Sequence, residues 1–241
     1  MVTASDLVRA AARIGLAVVC ITDHDTLAPL DGATDLGHEL GVDVVRGEEV
    51  TTRFPPGIHI VGLFLDRQIR MHMTVEDTID AIHEHGGLAI LAHPFMPTWF
   101  ASITPRRARR LLETHSVDGI ELRHTAPVLP GTWGALDRFA LDHRERVGAS
   151  LGAGDSHFGA HDLGRTVTVF PGRGTGSDLR RAIENRTTSP LVGGVAPAPP
   201  PLAMRAGQQF RSMVWLSNER RTGRVGGGVG APAASSAIRG R

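Results

Sequence analysis

The sequence predicts an α/β protein, with short parallel strands covered by helices. Residues 16–21, Leu-Ala-Val-Val-Cys-Ile, form an apolar run without polar alternation, as expected of a strand buried on both faces. Further short apolar runs follow, separated by segments with the 3.6-residue spacing of helices. Several runs stop at a polar cluster, the first being Thr22-Asp23-His24-Asp25. In parallel α/β folds that C-terminal strand edge is where chemistry is placed.

The chain has 241 residues, enough for one sizeable domain with its own core. A net charge of +1 gives no whole-molecule pull toward nucleic acid or membrane. The single cysteine, Cys20, excludes an intrachain disulfide and reads as a small core residue, which suits a reducing, cytoplasmic setting. No apolar run is long enough to span a bilayer, and the first residues lack the basic and apolar regions of a signal peptide.

Each element has a local reason. Thr3 or Ser5 can cap a helix through Leu7, Ala10, Ala11 and Ile14, ended by Gly15. The strand over 16–21 follows, so the chain opens helix-first. A helix over 30–40 ends at Gly41 and leads to a strand over 42–46, then to Gly47-Glu48-Glu49-Val50-Thr51. Residues 58–64 form a strand carrying His59. Thr74 caps a helix over 75–84, and the strand over 88–92 stops at His93-Pro94. A basic helix over 106–113, a strand over 119–122 and a helix near 133–143 come next. Gly154 then precedes Asp155-Ser156-His157, residues 166–170 alternate as a strand, and Ser177 is placed to cap a helix over 178–185. A proline-rich linker over 193–201 separates the domain, 1–192, from an amphipathic helix over 202–222 and a Gly/Ala/Ser-rich tail over 223–241 expected to be disordered. That helix either packs back on the domain or meets a partner or membrane surface.

His24, Glu49, His93 and the pair Asp155 and His157 sit at strand ends, and His59 lies within a strand. Singly, each has a plain reading as a surface histidine, turn former or solvated charge. Recurring after successive apolar strands, they converge on one rim. Imidazole with carboxylate is the donor mixture for zinc, manganese or iron, not calcium. Asp23 and Asp25 are candidates to orient ligand imidazoles, with turn formation as the alternative. His124 is an open rim candidate.

In this order the motifs resemble the PHP (polymerase and histidinol phosphatase) family of metal-dependent phosphoesterases, over roughly residues 3–191. Thr22-Asp23-His24-Asp25-Thr26 resembles its second motif. Gly47-Glu48-Glu49-Val50-Thr51 resembles its Gly-x-Glu-x-Ser/Thr segment, which selects Glu49 over Glu48 as the ligand. His59-Ile60-Val61-Gly62 is similar to its His-x-x-Gly strand; Ala92-His93-Pro94, Gly154-Asp155-Ser156-His157 and Gly164-Arg165-Thr166-Val167-Thr168 resemble its later segments.

The resemblance implies a distorted (β/α)7 barrel with two or three divalent metal ions at its C-terminal rim. It implies His24, Glu49, His59, His93, Asp155 and His157 as metal ligands, Glu49 and Asp155 at the reaction centre, and Arg165 on the substrate phosphate. The implied activity is hydrolysis of a small phosphorylated metabolite or nucleotide by a metal-activated water. Lack of a broad basic face argues against long nucleic acid. The family begins with a strand bearing His-x-His and then Ser-Asp-Gly, whereas residues 1–7 resemble the stretch just after Ser-Asp-Gly. The expectation is therefore a barrel whose first strand is missing, through a misplaced start, a fragment or a truncated paralogue. Such a chain should be less active than an upstream-extended one. The alternative is a non-catalytic PHP-like binding or regulatory module.

Overall fold

The computed structural model describes residues 2–27, 30–55, 57–96, 101–125, 128–154, 160 and 163–193. The expected C-terminal helix and tail lie outside these residues, as do Asp155 and His157. No described helix is long and apolar enough to cross a membrane.

Helix α1 (Ala4–Arg13) is started by Thr3, whose hydroxyl accepts the Asp6 N–H while the Asp6 carboxylate accepts the Thr3 N–H. It leads into β1 (Val18–His24). Helix α2 (Asp31–Leu40) ends at Gly41, whose φ of 72° is the left-handed conformation that glycine adopts without strain. Strands β2 (Asp43–Thr51) and β3 (His59–Leu63) follow, then α3 (Val75–Glu84), β4 (Leu88–Leu91), α4 (Pro105–Thr114) and β5 (Gly119–His124). Helix α5 (Thr132–Asp142), the single turn α6 (Arg144–Val147), β6 (Ala149–Ala153), β7 (Thr166–Val169), α7 (Gly176–Glu184) and β8 (Ser189–Val192) complete the order. The cap of α7 is Thr175, not Ser177: its hydroxyl accepts the Asp178 N–H and the Asp178 carboxylate answers, a reciprocal pair Ser177 is too late to make.

Six strands form one curled sheet in sequence order, β1 to β6, and β7 pairs with β8. The pairs β1–β2, β4–β5 and β5–β6 are parallel, as expected. The pairs β2–β3 and β3–β4 are antiparallel. The reversal is short: residues 52–58 turn the chain back directly, leaving no room for a crossover helix. Because β3 runs the other way, its first residue, His59, stands at the same rim as the last residues of β1 and β2.

The sheet is covered on both faces, and strand parity shows it. Ile60 of β3 and Ala89 and Leu91 of β4 pack outward with α3 and α4 residues such as Ile79 and Leu111. Val61, Leu63, Leu88 and Ile90 point inward with Ala92, Leu151 and Ile183. Val19 and Ile21 of β1 pack outward on α1 and α2 through Val8 and Leu30. Cys20 faces inward, where burial pushes its thiol up to about 12, as suits a core residue. Between the inward faces of β1, β6 and β7 lies a mainly apolar cavity of about 200 Å³, lined by residues including Val18, Cys20, Leu151 and Val167.

Away from the rim, His83 of α3 sits 2.7 Å from the Asp118 carboxylate, which also accepts the Ala89 N–H. The Asp118 hydrogen bond raises the His83 pKa above its ordinary value of 6.5. A raised histidine pKa contributes stability fully below the unfolded value and loses it as pH rises through the folded one. We therefore expect chemical denaturation to show His83→Gln less stable than the parent at about pH 5, by less than about 1 kcal/mol given the exposed pair. The difference should shrink toward about pH 9.

Candidate metal centre

Each side chain reaches the centre for a backbone reason. His24 ends β1 and is the register partner of Glu49 in parallel β2. Thr51, two residues on, pairs with His59 in antiparallel β3. His24, Glu49, Thr51 and His59 thus share the inward face of one rim. The parity of β2 separates the two adjacent glutamates. Glu49 points inward, while Glu48 points out and its Oε2 accepts the Ile69 N–H at 2.9 Å. Burial pushes the Glu48 carboxyl up to about 7, and the nearby Asp25 adds to it against the Ile69 hydrogen bond. Gly47 is needed for close approach, since a Cβ there would stand 2.5 Å from the Gly62 carbonyl oxygen and 2.9 Å from Thr22 Cγ2.

Glu49 is the hub. Its Oε1 lies 2.6 Å from His59 Nδ1 and 3.0 Å from His93 Nε2, and its Oε2 lies 3.8 Å from His24 Nε2. Burial pushes the Glu49 carboxyl up, but the combined pull of His24, His59 and His93 outweighs it and holds the group well below the usual carboxylate range. Burial lowers the His59 pKa despite Glu49, leaving one ring proton. With that proton on Nδ1, donated to Glu49, Nε2 keeps its lone pair. His59 Nε2 is buried and, among the described residues, has no hydrogen-bond partner; His24 Nδ1 is in the same position. Ligand atoms of His24, Glu49 and His59 lie within 4.8 Å of one another, on the scale of two metal–nitrogen bonds of about 2.1 Å each. Buried lone pairs beside an ionised carboxylate fit a divalent metal ion.

His93 and His124 extend the cluster, with ring centroids 5.4 Å from His59 to His93 and 5.9 Å from His93 to His124. His124 would point outward by simple alternation from Ile120. A register shift between Glu121 and Arg123 inserts one residue and turns it inward, while Arg123 turns out to pair with Asp137 at 2.8 Å. Burial first, then the His93 charge, pushes the His124 pKa down to about 3. For His93 burial is outweighed by the hydrogen bond and charge of Glu49, and its pKa rises.

Asp25 is placed differently from its expected contact with a ligand imidazole. Its buried carboxylate accepts the Thr51 N–H at 2.6 Å and hydroxyl at 2.7 Å, while its own N–H donates to the Glu49 carbonyl. It thus pins the end of β1 to the end of β2. Asp23 is exposed, and Arg165 is half-buried at the start of β7. Asp155 and His157 lie outside the described residues. Sequence reasoning missed Glu121, which is buried, faces inward and accepts the His93 N–H at 2.7 Å. Burial pushes its carboxyl up to about 7, opposed by His93. The signal was present: one glutamate between Ile120 and Leu122 in an apolar strand.

No family model matches the chain. An uncharacterised protein of Methanocaldococcus jannaschii is 40% identical over 92 residues, 38% of this chain and 52% of that protein. A 5'-3' exoribonuclease of Haemophilus influenzae is 39% identical over 64 residues, 26% of this chain and 23% of that protein. The matches therefore span about half or less of these curated relatives. Among solved structures, a two-domain protein of Bacteroides vulgatus, described as containing a PHP-like metal-dependent phosphoesterase, superposes with a TM-score of 0.57 at 20% identity, covering 76% of this chain and 60% of that one. A protein of Bifidobacterium adolescentis described as a metal-dependent phosphoesterase gives 0.54 at 16%, covering 63% and 81%. An amidohydrolase of Chromobacterium violaceum, with bound sulfate and no metal, gives 0.53 at 15%, covering 80% and 93%. At these identities what is shared is the fold.

The Asp25 pin can be tested by stability. Asp25→Ala leaves a buried Thr51 N–H and hydroxyl without their acceptor, and urea denaturation should show a loss of about 2–3 kcal/mol. Thr51→Ala removes only one of those bonds and should cost less.

Proposed function

We propose that this chain, which has the PHP-type fold, is a metal-dependent phosphoesterase acting on a small phosphorylated metabolite or nucleotide. The observation that carries the reading is the half-buried Glu49 carboxylate ringed by His24, His59 and His93 at the strand-end rim. In this reading those residues hold two or three divalent ions of manganese, zinc or iron, with Asp155 and His157 completing the ligand set. Bound ions of this kind supply an activated water and offset charge on the phosphoryl oxygens.

The chain's own residues have distinct tasks. Glu49, with two carboxylate oxygens, would help hold the ions, and the imidazoles around it, which keep its carboxyl well below the usual carboxylate range, leave it a ligand rather than a donor. Asp155 joins it at the reaction centre. His59 and His24 direct buried lone pairs inward. Arg165, at the start of β7, contacts the substrate phosphate. Asp25 keeps the β1 and β2 ends in register. The exoribonuclease relative supports including a nucleotide or short RNA end among the substrates. The single cysteine, half-buried with its thiol pushed up to about 12, supports a cytoplasmic setting.

The test is direct. The purified chain, loaded with manganese, zinc or iron(II), is assayed on an aryl phosphate, a nucleoside bisphosphate and a short 5'-phosphorylated RNA. We expect chelator-sensitive hydrolysis of at least one, and Glu49→Gln should lower kcat/KM by about 100-fold or more, as loss of an ion-binding carboxylate does. Stoichiometric metal without turnover of any phosphate ester would instead favour a non-catalytic binding module. Failure to retain metal would overturn the reading.

A further inference from the structure

We propose that Glu121 and Ser102 are positioning residues that lock His93 in a left-handed backbone conformation and so aim its imidazole into the metal centre. This role rests on the proposed reading of that centre as a metal site.

Strand parity makes the need plain. Along β4, Leu88 and Ile90 face inward and Ala89 and Leu91 outward, and Ala92 again packs inward. A regular strand would therefore point His93 outward, with Leu91, away from Glu49. Instead His93 has a φ of 28°, in the region L side chains rarely adopt. It also precedes Pro94, a position normally held to extended conformations. The departure swings the ring inward, to 3.0 Å from Glu49 Oε1. A conformation of this kind persists only where its surroundings over-determine it.

Those surroundings are side chains. The β4–β5 ladder runs through Leu91 and Ile120 and stops there. At the next step the Glu121 carboxylate, not a backbone carbonyl, accepts the His93 N–H at 2.7 Å. The Ser102 hydroxyl donates to the His93 carbonyl at 2.8 Å and accepts the Met96 N–H at 2.9 Å. Phe95, left-handed at φ 64°, donates its N–H to the Ile103 carbonyl at 3.0 Å. Both backbone polar groups of His93 are thus bound by side chains, and the turn behind it is tied to residues 102–103. His93, Ser102 and Glu121 are all buried, so water does not substitute readily for either bond. A carboxylate in an apolar strand is a costly choice unless its charge accepts a well-aimed donor, as it does here.

The test is cobalt(II) titration of the full chain, followed by the d–d absorption of the bound ion, on the parent and on Glu121→Ala, Glu121→Gln, Ser102→Ala and His93→Ala. Glu121→Ala and Ser102→Ala should each weaken cobalt binding by about tenfold or more and alter the absorption bands, as loss of a ligand-orienting contact does. Glu121→Gln retains an acceptor oxygen and should stay within about threefold of the parent. Parent-like binding and spectra in Glu121→Ala and Ser102→Ala, with loss in His93→Ala, would overturn the positioning role while leaving the centre intact. Parent-like binding in His93→Ala would take His93 out of the centre and overturn the role, while absence of cobalt binding by the parent would overturn the centre itself. If Glu121→Ala does not fold, Ser102→Ala, which removes one hydroxyl, decides by the same readout.

Discussion

The structure depends on one carboxylate being shared by several imidazoles at a largely buried rim. Glu49 loses solvation there, and only the approach of His24, His59 and His93 keeps it ionised. Each partner comes from a different stretch of chain, so the position of every rim element is tied to this one group. A parallel register brings His24, a reversed strand brings His59, and a left-handed residue brings His93. The inward-facing Glu121 adds a second carboxyl to the ring, one whose pKa burial raises to about 7 against the opposing pull of His93 and that is already occupied by a backbone N–H. The arrangement therefore separates two acidic groups by role: Glu49 faces the imidazoles, and Glu121 faces the chain.

Neighbouring residues are held apart by the same geometry. Glu48 and Glu49 are adjacent in sequence yet opposite in space, because alternate residues of a strand face opposite ways. One serves the loop through Ile69, the other the centre. Arg123 and His124 are divided likewise after the β5 irregularity, one toward Asp137 on α5 and the other toward His93. The low pKa of His124 keeps it neutral beside the raised His93, so the cluster does not collect positive charge on facing rings.

Much of this is legible in the residues. The apolar runs locate most of the strands, and the recurrence of histidine and carboxylate at their ends picks out His24, Glu49, His59 and His93, which the structure brings together. What stays hidden are the departures from regularity. Helices alternating with strands suggest parallel pairing, but the reversal at β3 depends on which strands neighbour each other, information a linear pattern does not carry. His59 reads as lying inside a strand because apolar residues flank it on both sides. Strand periodicity would place His93 and His124 on the outer face, and only a left-handed turn and an inserted residue bring them in. Glu121 reads as an isolated polar residue because its partner is a backbone N–H, which has no letter in the sequence. Asp25 reads as a neighbour of the imidazoles and instead clasps Thr51, since the turn after His24 carries it past the rings.

The reversal between β2 and β3 has a consequence for how this centre can diversify. Thr51 and His59 face each other across the ladder, and Asp25 holds Thr51 from the other side. The loop between them is therefore a closed span whose two ends are also tied to each other, the Thr52 N–H and hydroxyl both reaching the carbonyl of the core residue Ile58. Its length and composition, including the solvent-facing Phe54 at its tip, can change without altering the spacing of Glu49 and His59. Selection on the entrance to the site and selection on the ligand geometry can then act on separate stretches of chain, although only one residue, Val50, lies between the carboxylate and the anchored end of that loop.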